Sequence, residues 1–152
     1  MAKLLGLIIE DNFDYGHFIP NHHKCYTLHG HSAKVKIRVL GYQLENDMLI
    51  DFGELKKIVK NVINEYYDHK LIVSKNYVKE EVNGLVNIQY RNFHLLIPKE
   101  SVYIIEGEAT SENIVKDICE KILDKLPKNI VEIHVAISEG YNKGAYAKLK
   151  RK

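Results

Sequence analysis

The run Ser32-Ala-Lys-Val-Lys-Ile-Arg-Val39 alternates without a break, with Ala33, Val35, Ile37 and Val39 on one side and Lys34, Lys36 and Arg38 on the other. In an extended chain successive side chains point to opposite faces, so this is a strand with one buried face and one wet face. Upstream, residues 4 to 9 (LLGLII) form an apolar β-type run that continues through Phe13, Tyr15 and His17 toward Pro20 and reads as a first strand. Downstream, the turn-like LENDM leads to Asp51, with Glu54 three residues later and Leu55, Ile58, Val59, Val62 and Ile63 at helical spacing. That pattern predicts a helix from about Phe52 to Tyr66, capped by Asp51. Thr110 or Ser111 caps a second amphipathic helix whose apolar side carries Ile114, Val115, Ile118, Cys119, Ile122, Leu123 and Leu126, with Pro127 just beyond. Val131, Ile133, Val135 and Ile137 alternate again, and after Gly140 to Gly144 the segment AYAKLK closes a final hairpin. Between the helices, VNIQY and FHLLI read as the arms of a hairpin insert and VYIIE as another short strand. The order of elements fits one α+β domain over residues 1–152, with both helices on one face of a sheet.

A chain of 152 residues with 45% hydrophobic and 28% charged content is of the size of one compact domain with its own core. Its 22 basic and 20 acidic residues are interspersed, leaving a formal charge of +2 and no block of one sign that would mark a nucleic-acid or membrane partner. The apolar N-terminal stretch meets Asp11 too soon to span a bilayer and lacks the basic head of a secretory signal. A reducing cytoplasm is the expectation, with Cys25 and Cys119 as free thiols and Cys119 in the core of the second helix.

The stretch HFIPNHHKCYTLHGH, His17 to His31, places five histidines and a cysteine within fifteen residues. His29 and His31 lie two apart, so in a strand both imidazoles point to one side, as two ligands of one metal must. His17 as a third ligand completes a three-histidine site with an open fourth position, the layout of catalytic rather than structural zinc; His22 and His23 compete for that place. Cys25 is either a fourth ligand or a thiol whose proton is loosened by a nearby metal charge, and so a base. Asp68-His69 pairs a carboxylate with an imidazole, an arrangement that orients proton transfer but also suits a helix C-terminus on dipole grounds alone. Glu139 falls on the apolar face at a strand end, where a carboxylate needs an ion-pair partner or a ligand. No H-E-x-x-H pattern supports a zinc hydrolase.

Taken in order, Cys25-Tyr-Thr-Leu-His29-Gly-His31, Leu49-Ile-Asp51-Phe52, Asp68-His69, Thr110-Ser111-Glu112-Asn113 and Glu139 resemble the 6-pyruvoyl-tetrahydropterin synthase family, which includes the 6-carboxytetrahydropterin synthases. The resemblance runs from about Phe13 to Tyr146. It implies a tunnelling fold, an antiparallel four-stranded sheet with two helices on one face, assembled as a trimeric barrel or a hexamer with active sites between subunits. It further implies Zn2+ on His17, His29 and His31, with Cys25 as general base and Asp68 and His69 as a second proton relay reaching a neighbour's site. Glu139 would grip the amino-pyrimidine edge of a pterin, aided by Thr110, Ser111 and Glu112. The implied substrate is 7,8-dihydroneopterin triphosphate. The three-residue spacer between Cys25 and His29 favours the 6-carboxy product over the 6-pyruvoyl one, and a non-catalytic zinc or pterin-binding protein is the remaining alternative. Two departures stand out: Ala109 where a proline is usual, and a long segment from Leu71 to Ala109 without the usual Leu-Asn after Asp-His.

Overall fold

The computed structural model describes residues 2–152. Strands β1 (Leu5–His17) and β2 (His29–Gly41) pair antiparallel along their whole length, from Leu5 opposite Gly41 to His17 opposite His29. Across β2 lies β8 (Ile130–Ser138), and across β8 lies β9 (Gly144–Lys150), both antiparallel. These are the four strands expected from alternation. Their buried positions, among them Phe13, Tyr15, Val35, Ile37, Val135 and Ile137, all face the two helices.

The sheet is wider than expected. Strands β3 (Lys70–Ser74) and β7 (Val102–Ile105) extend it to six in the order β7-β3-β1-β2-β8-β9, and both added pairings are parallel. The LIVS segment of β3 is buried at all four positions, so it carries no alternation to read. The insert is likewise more than a hairpin: β4 (Val78–Val82), β5 (Leu85–Tyr90) and β6 (Phe93–Ile97) form a separate three-stranded sheet. Its apolar side closes a second small core over Phe18, Leu71, Val73, Tyr77 and Ile88.

Helix α1 (Phe52–Val62) begins where Asp51 accepts a hydrogen bond from the Glu54 amide at 3.2 Å, and α2 (Ser111–Lys125) begins where Thr110 accepts from Asn113 at 3.2 Å. Each side-chain oxygen satisfies an amide that has no partner inside its helix. A wide π turn, Ile63–Tyr67, prolongs α1, and the Asp68 amide closes it onto the Ile63 carbonyl at 2.9 Å. Half-buried Asp117 on α2 accepts from the Tyr67 hydroxyl at 2.6 Å and the Tyr103 hydroxyl at 2.7 Å, tying that turn and β7 to the helix layer. Asp117→Ala leaves two phenols without their acceptor and is expected to destabilise the fold by roughly 2–4 kcal/mol, read as a lower urea midpoint at unchanged slope. Among the described residues no helix is long and apolar enough to cross a membrane.

Candidate functional site

His17 is the last residue of β1, while His29 and His31 open β2, so the pairing of the two strand ends sets the three imidazoles together on the helix side of the sheet. Their ring centroids lie 4.6, 5.0 and 4.8 Å apart, and one nitrogen from each lies within 4.8 Å of the others. The backbone decides which nitrogens these are. His17 Nδ1 lies 2.7 Å from the Ala109 carbonyl and His29 Nδ1 lies 2.6 Å from the Thr27 carbonyl. A carbonyl can only accept, so both Nδ1 atoms carry the proton and both Nε2 atoms present lone pairs. Those lone pairs face each other at 3.0 Å. Two acceptors at that distance repel unless a cation sits between them. A tetrahedral ion with bonds of about 2.0–2.1 Å holds its ligand nitrogens about 3.3 Å apart, close to the observed spacing.

His31 Nε2 is buried and has no hydrogen-bond partner, the state of a ligand atom rather than of a settled core group. Burial holds the imidazoles of His17 and His31 below the usual histidine range, favouring the neutral form that a metal requires. Three imidazoles, two of them oriented by backbone carbonyls on Nδ1, fit a divalent ion of the zinc type with a position left open. His22 and His23 are not part of the cluster, nor is Cys25.

Beside the cluster opens a cleft of about 610 Å³. The loop between β1 and β2, closed by the Ile19 amide on the Cys25 carbonyl at 2.6 Å, brings Cys25 to its wall. The start of α2 contributes Thr110, Ser111 and Glu112, and the β8–β9 turn contributes Glu139 and Lys143. Glu139 Oε1 is 3.6 Å from His31 Nε2, and its other oxygen accepts from the Ser111 hydroxyl. Burial alone would raise the Glu139 carboxyl, but the Ser111 hydroxyl and the neighbouring imidazoles outweigh it and hold the group below its usual range. An ionised carboxylate with one oxygen braced thus stands at the cleft, able to accept from a ligand's N–H groups. The Tyr15 hydroxyl is buried without a partner, and Tyr15 packs edge-on against His17 at 5.2 Å. A smaller hollow of about 330 Å³ at the far end of β1, bordered by Leu5, Leu7, Met48 and Phe52, is lined by no histidine or cysteine.

Asp68 and His69 do not line the cleft of their own chain. They form a separate group with Asp14 at the edge of β1. His69 stands at φ 60, where the chain turns sharply from the π turn into β3, and its amide donates to the Asp14 carbonyl at 2.7 Å. Asp68 accepts from the Asp14 amide at 3.0 Å through one oxygen and meets His69 Nδ1 at 3.0 Å through the other. Burial works against its charge, but these contacts prevail and keep the Asp68 carboxyl below its ordinary range. The His69 ring is 76% exposed, so a carboxylate-oriented imidazole is presented outward.

The characteristic pattern of the 6-pyruvoyl tetrahydropterin synthases matches residues 7–151. The chain belongs to this family. A Pyrococcus horikoshii protein provisionally named 6-carboxy-5,6,7,8-tetrahydropterin synthase is 38% identical over 130 residues, 84% of this chain and 79% of its own length. The 6-carboxy-5,6,7,8-tetrahydropterin synthase of Rickettsia felis is 32% identical over 116 residues, 75% of this chain and 77% of its own. The structure of the Plasmodium falciparum 6-pyruvoyl tetrahydropterin synthase superposes with a TM-score of 0.82 at 25% identity, covering 97% of this chain and 98% of that one. As a member of the family the chain is an enzyme with the family's tunnelling fold, here widened by β3, β7 and the extra sheet.

Sequence reading missed Lys143 and Tyr15 within this synthase site. Lys143 lies in an exposed turn whose position follows from the β8–β9 register. Tyr15 shares the alternation of Phe13 and His17, and that position between a core residue and a candidate ligand was the available signal.

Proposed function

We propose that this synthase converts 7,8-dihydroneopterin triphosphate and one water to 6-carboxy-5,6,7,8-tetrahydropterin, the precursor for queuosine or archaeosine, with release of triphosphate and acetaldehyde. The observation that carries the reading is the convergence of three imidazole lone pairs beside a cleft holding a thiol and a braced carboxylate. The 6-carboxy product is preferred because relatives in two distant lineages carry that name and because only three residues separate Cys25 from His29.

Glu139 accepts from the amino-pyrimidine edge of the pterin, with Ser111 fixing its orientation and Thr110 and Glu112 lining the entry. Zinc on His17, His29 and His31 supplies Lewis-acid polarisation of the substrate's side-chain hydroxyls. Cys25 receives the proton removed from that side chain, and His69, oriented by Asp68, returns one from the opposite side.

His69 reaches a cleft in this scheme only through a neighbour. β1 pairs with β3 at Tyr15 and Gly16, and Asp14 is bonded to Asp68 and His69, so among the described residues the outer edge of β1 is unpaired from Leu5 to Phe13, while β9 is an edge of the sheet. Unpaired edges of this length invite pairing with another copy. Strands alternate in direction across β1-β2-β8-β9, so a neighbour's β9 that continued the alternation would run antiparallel to β1, its Gly144 end toward the Phe13 end of the free edge. Such pairing would bring Asp68 and His69 of one subunit toward Glu139 and Cys25 of the next. The assembly we propose is a trimeric barrel, alone or as two stacked in a hexamer, with residues 1–152 acting as one cytoplasmic domain and without a nucleic-acid or membrane partner.

Incubating the metal-loaded protein with 7,8-dihydroneopterin triphosphate and identifying products by mass spectrometry tests the reading, with Cys25→Ala and His31→Ala as controls. Acetaldehyde with the 6-carboxy pterin is the expected result. The 6-pyruvoyl product alone would make the protein a 6-pyruvoyl-tetrahydropterin synthase. No turnover above either control would leave a zinc- or pterin-binding role.

A further inference from the structure

A second cleft, of about 630 Å³, adjoins the first and is lined by Pro20, Asn21, His22, His23, Tyr26 and Arg91. His22 lines both clefts and so joins them. No carboxylate lines this second cleft, whereas an arginine and two imidazoles do. His22 Nδ1 accepts from the Cys25 amide at 3.4 Å, which leaves Nε2–H as a donor.

Arg91 comes from the extra sheet and is held in place. It occupies the two-residue turn between β5 and β6, where Tyr90 pairs with Phe93. Its guanidinium lies over the Tyr90 ring at 5.2 Å, and the Tyr90 hydroxyl donates to Asn21 on the cysteine loop at 2.8 Å. Below the turn, Phe93 packs on Phe18 at 4.7 Å, fixing the extra sheet to the root of the same loop. Arg91 also has φ 53, a left-handed conformation that a long side chain adopts at a cost and that glycine accepts freely. The two-residue hairpin turn demands this positive φ, and it is met here by an arginine where glycine is the usual choice.

We propose that Arg91, with His22 and His23, is the subsite for the triphosphate tail of the substrate; this rests on the reaction proposed above. With the pterin on Glu139 and the reacting side chain at Cys25, the tail leads past His22 into the second cleft. There the guanidinium fork matches phosphate oxygens and the imidazoles add N–H donors. The insert from Leu71 to Ala109 thereby acquires a role as the carrier of an anion-binding residue.

The test is titration of the metal-loaded protein with inorganic tripolyphosphate by calorimetry, with bound metal measured before and after so that chelation is seen. Wild type is compared with Arg91→Gly, which relieves the left-handed strain and is expected to melt no lower, and with Lys56→Ala, which removes a charge from exposed α1. Arg91→Gly is expected to weaken tripolyphosphate binding about tenfold, with Lys56→Ala unchanged and all three proteins binding unphosphorylated 7,8-dihydroneopterin equally. In turnover, Arg91→Gly should raise KM for the triphosphate substrate about tenfold with kcat within about twofold. Equal tripolyphosphate affinity in wild type and Arg91→Gly, or an equal loss in Lys56→Ala, overturns the subsite. Arg91-dependent anion binding in a protein that turns over no pterin would uphold the subsite and overturn the proposed reaction.

Discussion

His31→Ala protein is expected to retain under about a tenth of the metal bound by the wild type, and to lose turnover by a factor on the order of 10³ or more. The cluster offers three imidazole nitrogens, so removing one leaves two, too few for the tetrahedral coordination of such an ion. His31 is a better choice than His17 for the experiment. His17 is fully buried and bonds through Nδ1 to Ala109 just before α2, so its loss would also loosen the joint between β1 and the helix layer. His31 lies against the cleft residue Glu139, its Nε2 has no hydrogen bond to lose, and Glu139 keeps the bond from Ser111. A metal that binds only the folded chain stabilises it, so the wild type should melt lower after chelation while His31→Ala becomes insensitive to the chelator. Metal content by plasma mass spectrometry and paired melts read both effects. Full occupancy in His31→Ala would remove the three-histidine cluster as the metal centre.

The donor set was legible in sequence because H-x-H on a strand leaves little freedom: two residues apart means one face, and the alternation of Ala33 to Val39 carries that face inward. Asp51 and Thr110 were equally legible, since a capping oxygen acts on an amide two or three residues away. What escaped depended on distant partners. The continuous LIVS run of β3 acquires its identity as a strand only from β7, some thirty residues later, and β4, with two apolar residues in VKEEV, acquires its own from β5. The helix ends at Tyr67, within a residue of the expected end, but the π character of its last turn was not foreseen: the i to i+5 bond at Asp68 widens that turn and rotates Asp68 and His69 away from any position that a 3.6-residue period foresees. Hence the sequence reading paired these residues correctly with each other, yet had no means to place them at the sheet edge beside Asp14.

That edge position makes the most discriminating expectation one of mixing rather than of single substitution. Cys25→Ala and His69→Ala should each lose turnover by about 10³-fold, since each removes one of the two proposed proton-transfer groups. A site that lies wholly within one chain stays dead in any mixture of the two. If Cys25 of one subunit works with His69 of the next, co-refolding the variants in equal amounts creates intact sites wherever a His69→Ala chain lends its Cys25 beside a Cys25→Ala chain that lends its His69. Random assortment around a closed ring gives that order at about one junction in four, so the mixture should recover about a quarter of wild-type turnover. The recovery should appear only after subunits exchange, because simply combining the folded oligomers leaves every junction homogeneous. Recovery near zero after verified exchange would place both groups in the same chain's site, which the separation of Asp68 and His69 from the cleft argues against. Recovery near a quarter would show that the site is shared between subunits, as expected if the free edge of β1, from Leu5 to Phe13, takes part in the seam.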